Sequence, residues 1–352
     1  MTTPLRFIQV GTGGMGRYWC EMVWPRLIQQ GKATPVAAVD LVPEQLAHAT
    51  DLLGLDSSRC YTDIALAFSE NEADFVVVVV PPAHHEAVVD IALRHDCHIL
   101  SEKPIADTME ATARIYKNVI AAGKKMAVTM SHRFDQDKQT LERLVASGEY
   151  GDASYIVGRN TWNCRKYPTW GAFRYKIPHT LLVEGTVHHF DIIRALTGSN
   201  AKKIFAVTWN PPWSEFEGDA NALITLEMEN GIKVMYEGSK TNTTELNGWG
   251  KDYFRVECDL ATVELDQRNI RVLQDTDTGE RTITEKQLAF QEVWKNPWLA
   301  EMFCDWLRGD RPDHPADLED NIQCMAILFA AIESAETGQP IEVQEFLQKF
   351  LG

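Results

Sequence analysis

Near the start of the chain, Gly11-Thr12-Gly13-Gly14-Met15-Gly16 follows a short apolar run, Phe7-Ile8-Gln9-Val10, and leads into an amphipathic stretch over 15–30. A Gly-x-Gly-x-x-Gly string is a weak signal by itself. It gains specificity when it joins a strand to a helix and a second strand ends in an acid about twenty residues further on. Here Val36-Ala37-Ala38-Val39 reads as that strand and Asp40 as that acid. The first glycine makes the tight turn, the second lets backbone approach a pyrophosphate, and the third lets helix and strand pack closely. The amides of the loop face the anion at the positive end of the helix. Asp40 would accept bonds from a ribose diol and repel a 2′-phosphate. The next residues, Leu41 and Val42, are not basic, so the expected cofactor is NAD rather than NADP.

The alternation continues. Residues 75–80 are apolar at every position, as in a strand covered on both faces. Shorter apolar runs at 98–100 and 126–128 read as further strands, with helical patterns over 43–53, 83–95 and 107–122. Pro43 suits a first helical turn. Asp107 with Glu110 reads as a capping box, and Pro25 should end or kink the first helix. Strands alternating with helices imply a doubly wound parallel sheet.

Beyond about residue 150 the pattern becomes antiparallel. Runs at 203–209, 222–229, 232–238, 253–258, 262–265 and 270–273 read as strands, with a hairpin turn at Asn230-Gly231. Helices near 187–196 and 321–336 end at Gly198 and Gly338. The expected fold class is therefore α/β: an N-terminal Rossmann domain, 1–130, and a C-terminal α+β domain, 131–352, carrying a large, mostly antiparallel open sheet. The late helices near 298–338 are candidates to pack back on the first domain.

Composition limits the partners. The net charge of −16 argues against general nucleic-acid binding and against an anionic membrane surface. The longest aliphatic tract, 76–80, is far below the ~20 residues of a membrane helix. The opening apolar run is too short for a signal-peptide core. Seven scattered cysteines without a Cys-x-x-Cys pair suggest reduced thiols and a cytoplasmic location. Adjacent His84-His85 and His188-His189 diverge on a helix or strand, so no metal site is expected.

Glu102-Lys103-Pro104 follows a predicted strand, and Glu184-Gly-Thr-Val-His188-His-Phe-Asp191 lies further on. With the glycine loop, His132-Arg133-Phe134 and the late Ser334-Ala335-Glu336-Thr337-Gly338, the chain resembles the Gfo/Idh/MocA oxidoreductases along nearly its whole length. The resemblance implies a sugar or cyclitol dehydrogenase that works as a dimer or tetramer. It assigns Lys103 and His188 to catalysis and places Pro81, His85 and Glu102 beside the cofactor. Glu184 stands where many members have Asp, four residues before the histidine, and could orient His188 or a substrate hydroxyl. The chemistry agrees: oxidising a secondary alcohol needs a base for its proton, and an ammonium stabilises the developing alkoxide.

Between Asp152 and Glu184 the chain has no acid, but it carries Arg159, Arg165, Lys166, Arg174, Lys176 and His179 among Trp162, Tyr167, Trp170, Phe173 and Tyr175. Aromatic faces pack on sugar C–H surfaces and arginines grip anionic oxygens. Trp162, Arg165, Lys166, Tyr175 and His179 of this stretch, with Arg133 and His189 of the segments that carry the resemblance, are the candidate substrate residues, for a sugar bearing a carboxylate, sulfonate or phosphate. The same composition would suit a subunit-contact arm. Two other functional readings share the residues: an NAD-dependent glycoside hydrolase working through transient oxidation, and a non-catalytic NAD-binding sensor.

Overall fold

The computed structural model describes residues 3–169 and 171–352, so Trp170 of the aromatic stretch lies outside the described residues. The chain forms two compact units: Met1–Ser131 with Val293–Ile322, and His132–Glu292 with Gln323–Phe350.

In the first unit, β1 (Leu5–Val10), β2 (Ala33–Val39), β3 (Cys60–Tyr61), β4 (Phe75–Val78), β5 (His98–Ser101) and β6 (Met126–Val128) make one sheet in the order β3-β2-β1-β4-β5-β6. Every pairing is parallel. The direction of winding reverses between β1 and β4, which opens a crevice at the carboxyl ends of those strands. Phe7, Trp24 and Phe75 form an aromatic core, with Phe7 4.4 Å from Trp24 and 5.4 Å from Phe75. Phe303, on the late helix Lys295–Arg308, joins it at 5.4 Å from Phe75. Lys32 reaches Glu301 and Asp305 on the same helix at 2.9 and 2.8 Å. Apolar packing and an ion-pair cluster thus hold Val293–Ile322 in the first unit.

Local expectations fare unevenly. Pro43 opens the helix Pro43–Leu53 as expected. Pro25 does not break its helix. A π-helical turn, Trp19–Val23, precedes the segment Trp24–Gln29, and its wider spiral relieves the clash a proline ring makes with the preceding turn. The cap of the helix Met109–Ala121 is Thr108, not Asp107: Thr108 Oγ1 accepts from Ala111 N at 3.2 Å.

The second unit carries a nine-stranded sheet of β7 (Ala153–Thr161), β8 (Ala201–Trp209), β9 (Asn221–Met228), β10 (Lys233–Ser239), β11 (Tyr253–Cys258), β12 (Thr262–Asp266), β13 (Asn269–Asp275), β14 (Arg281–Lys286) and β15 (Ile341–Glu342). Their order is β14-β13-β12-β11-β7-β10-β9-β8-β15. Only β7 and β10 pair in parallel. β9 and β10 form the hairpin expected at Asn230-Gly231, with Gly231 at φ 92°. Sequence reading misses β7, the central strand, because its residues fall in the stretch that stands out for charge and aromaticity. It misses β14 because that strand has no buried face to create an alternating pattern.

The register aligns one inner row across seven strands: Ile204, Leu226, Val234, Ile156, Val256, Val263 and Val272, all buried. The adjacent row faces out and passes from Phe205 and Met235 to Arg255, Glu264 and Arg271. Among the described residues no helix is long and apolar enough to cross a membrane.

Ile156→Ala should destabilise the protein by about 2–5 kcal/mol, since it leaves a cavity at the centre of the inner row. Ile283→Ala on the exposed edge strand should stay within about 0.5 kcal/mol of wild type. Urea unfolding followed by circular dichroism checks both; equal shifts would refute the placement of β7.

Candidate active site

The carboxyl edge of the parallel sheet brings together the residues predicted to bind a cofactor. Gly11 sits at φ 89°, and a Cβ there would lie 2.0 Å from the Val79 carbonyl oxygen. A Cβ on Gly16 would lie 2.2 Å from the Gly11 carbonyl oxygen. Neither position accepts another residue. Gly14, at φ 49°, has open space around it, and Gly14 and Met15 are exposed. The loop therefore presents bare backbone at a helix start, as a pyrophosphate requires. Thr12 is buried beneath it. Asp40 Oδ2 accepts from Thr12 N at 2.8 Å and Gly13 N at 3.2 Å, so the acid also fixes the loop.

β4 and β5 deliver the rest. Pro81 is exposed past the end of β4, and Lys103 follows β5, whose next residue, Glu102, donates its amide to the Val78 carbonyl at 2.8 Å. Glu102 Oε1 accepts from Trp19 Nε1 at 2.8 Å, and burial pushes its carboxyl above the usual range. His85, expected beside the cofactor, has its ring turned to two backbone carbonyls. It is fully buried, with Nδ1 3.1 Å from the Ile105 carbonyl and Nε2 2.9 Å from the Val80 carbonyl. It braces the two loops that carry Pro81 and Lys103, and burial holds its pKa low.

In the second unit, His188 lies in the first turn of the helix Val187–Thr197, just after a π-helical turn, Leu182–Thr186. Its ring meets Trp249 edge-on at 4.9 Å and His132 at 6.1 Å. Glu184 is nearly buried and accepts from Arg174 Nε at 2.9 Å. Its carboxylate is thus engaged by a guanidinium.

His132, Lys138 and His189 converge on one carboxylate that sequence reading did not single out. Asp252 is fully buried and takes bonds from His132 Nε2 and His189 Nε2 at 2.9 Å each, from Asn160 Nδ2 at 3.0 Å, and from Lys138 Nζ at 2.5 Å. Burial favours a neutral acid, but His132 and Lys138 outweigh it and hold Asp252 well below the ordinary range. Burial lowers Lys138 too, yet Asp252 and Asp137 raise it overall. The ion pair is therefore Lys138 with Asp252. Burial pushes His132 down to about 4 and lowers His189 as well, so both imidazoles are neutral donors. The three ligand-type atoms of His132, His189 and Asp252 are close enough for a cation, but the Lys138 ammonium already supplies the positive charge there. No local motif could have announced this cluster, because its members lie up to 120 residues apart.

Several proposed substrate residues have partners within the chain. His189 is fully buried, with Nδ1 3.0 Å from the Tyr236 hydroxyl and Nε2 on Asp252. Tyr175 is buried, stacks on Phe216 at 4.0 Å, and bonds through its hydroxyl to the Lys166 carbonyl at 2.6 Å. It staples the aromatic stretch to the connection between β8 and β9 and has no face left for a sugar. His179 Nε2 lies 3.1 Å from Glu336, Lys166 Nζ 2.9 Å from Glu215, and Arg133 3.5 Å from Asp191. Trp162 is half-buried and carries the buried Lys240 ammonium 4.1 Å from its ring centre. Arg165, Lys166, Asn163, Thr169 and Trp213 line a cavity of about 450 Å³.

A parallel sheet with its switch point at an obligatory glycine loop, and an acid closing that loop, define a dinucleotide-binding protein. Comparison with known proteins refines the class. Residues 5–130 match the oxidoreductase family with an NAD-binding Rossmann fold, and residues 139–264 match the GFO/IDH/MocA C-terminal domain. The chain belongs to the GFO/IDH/MocA family of NAD-binding oxidoreductases. It is 41% identical to the uncharacterized protein y4oX of Sinorhizobium fredii, over 98% of this chain and 97% of that one. It is 27% identical to inositol 2-dehydrogenase of Corynebacterium glutamicum over 67% of each chain. Its fold matches that of an Agrobacterium radiobacter oxidoreductase crystallised with NAD+, L-tartaric acid and magnesium, at a TM-score of 0.84 and 20% identity, covering 97% of this chain and 99% of that one.

The buried imidazole sets a pH dependence. His132 titrates near 4 when folded against 6.5 ordinarily, so across that window the unfolded chain binds more protons. Its contribution to stability should be complete above pH 6.5 and decline as the pH falls towards 4. Urea midpoints measured at several pH values should show the slope, and His132→Asn should flatten it. An unchanged slope would contradict the assignment.

Proposed function

We propose that the protein is an NAD-dependent dehydrogenase acting on a secondary hydroxyl of a sugar or cyclitol. The observation that carries this reading is the glycine loop that tolerates only glycine, on the same sheet edge as Asp40 and Lys103. NAD fits that edge through the exposed backbone of Gly14 and Met15, and when bound it supplies the hydride acceptor. The chain's own residues handle the proton and the charge. His188 accepts the hydroxyl proton at an imidazole nitrogen, and the Lys103 ammonium stabilises the alkoxide as the carbonyl forms. Glu184, engaged by Arg174, orients this end of the helix and does not itself carry the proton.

The anionic-substrate idea narrows to Arg165. Lys166 is matched by Glu215, whereas Arg165 reaches only the Thr243 hydroxyl at 3.5 Å and has no carboxylate partner among the described residues. Trp213, largely exposed in the same cavity, offers a flat apolar surface beside it. The outward apolar patch of Phe205, Val207, Leu223 and Met235 also supports a homo-oligomer formed through the open sheet.

Purified protein with NAD and a panel of inositol, glucose, glucuronate and an aryl glucoside should give NADH stoichiometric with oxidised product. Aglycone release without NADH would establish the glycosidase chemistry instead. Lys103→Ala and His188→Ala should each lower kcat by about 100-fold or more, and Arg165→Ala should raise KM about tenfold for glucuronate while sparing neutral sugars. Equal effects on both sugars would remove Arg165 from recognition. Met235→Glu should reduce the mass measured by light scattering to that of one chain; an unchanged mass would refute the sheet contact.

A further inference from the structure

Trp249 is absent from every motif, yet the chain invests a buried polar framework in placing it. It sits on the connection between β10 and β11, and both ends of its segment are pinned. On one side Asn247 is buried; its carbonyl accepts from Thr161 N at 2.8 Å and Asn160 Nδ2 at 3.1 Å, and its side chain donates to the Lys251 carbonyl and to Asp266 at 3.0 and 2.9 Å. On the other side is Asp252 with its four donors. Gly250, at φ 77°, makes the turn between them.

The indole held there stacks on His132 at 3.9 Å and 19°. It stands edge-on to His188 at 4.9 Å and to Trp162 at 6.3 Å. Trp249 nonetheless keeps 38% of its surface exposed, although His132, beneath it, is buried. A tryptophan stacked on a buried, neutral imidazole gains nothing for the core from that exposed surface. Buried ion pairs are themselves weak sources of stability, and their best-attested use is to fix one conformation. The arrangement therefore reads as a rigid apolar platform beside a candidate base.

We propose that Trp249 is the stacking platform for the ring of the carbohydrate substrate and so determines specificity for cyclic over acyclic polyols. The proposal rests on the carbohydrate dehydrogenase reading. A ring face carrying several axial C–H bonds packs on an indole and brings a ring hydroxyl beside His188. An open-chain polyol presents no such face and gains less from the contact.

The test compares Trp249→Leu and Trp249→Phe with wild type on inositol, glucose, glucuronate and the acyclic polyol sorbitol. Trp249→Leu should raise KM for the cyclic substrate about tenfold, Trp249→Phe should recover most of that loss, and sorbitol should be unaffected. The dissociation constant for NAD, measured by calorimetry, should be the same for all three proteins and also reports folding. Without NAD, the cyclic substrate should quench wild-type tryptophan fluorescence, and Trp249→Phe should remove that component. Wild-type turnover with KM unchanged in Trp249→Leu would overturn the platform alone. Weakened NAD binding in both variants would overturn it as well, by giving the indole to the cofactor or to general stability. If wild type neither turns over nor responds in fluorescence to any of the four compounds, the carbohydrate reading falls and the platform falls with it.

Discussion

A single carboxylate, Asp252, organises the second unit. A fully buried charge is tolerated only when it is paired and its lone pairs are filled, and here one ammonium, two imidazoles and one amide do both. Those partners come from β7, from the turn after β6, from the helix Gln136–Ala146 and from the helix that carries His188. Satisfying Asp252 therefore fixes where four segments meet. Breaking such a pair from one side leaves an uncompensated charge, a loss of ~3–5 kcal/mol in comparable buried sites. The aromatic surroundings of His188 depend on this hub, because His132 is held by Asp252 on one side and covered by Trp249 on the other.

The dinucleotide unit is organised differently, by the absence of atoms. Its loop works because two glycines have no Cβ where a carbonyl oxygen stands. Polar side chains then close the gaps: Gln9, fully buried in β1, accepts from Trp24 Nε1 and donates to the Gly11 carbonyl. His85 does comparable work between the loops after β4 and β5. A buried histidine next to a cofactor motif is thus a brace here, and its two backbone partners say so more clearly than its position in the chain.

Much of this was legible beforehand. The glycine spacing, the acid after β2, the continuous apolar run of β4 and the hairpin glycine are local signals with local causes. The sequence singles out Lys103 and His188 only in combination with their neighbours, and their catalytic role is a proposal. What failed to show were features without a sequence period. β7 hid inside a basic aromatic stretch, and β14 has no buried face. Tyr175 and His189 looked like ligand contacts because composition records residue type and not burial. Lys166 looked like a free cation until Glu215, 49 residues away, came alongside it.

The sequence by itself determined the parallel sheet, the cofactor edge and the alternation of a second, antiparallel sheet, because each rests on contacts between residues close in the chain or on a periodic pattern. Only the tertiary structure decided which charges are paired and which aromatic rings are exposed. Asp252, Lys138, His132 and Trp249 are ordinary residues at scattered positions. Their meaning comes from exclusion of water and from distances of a few ångströms, and both arise when segments far apart in the chain pack together.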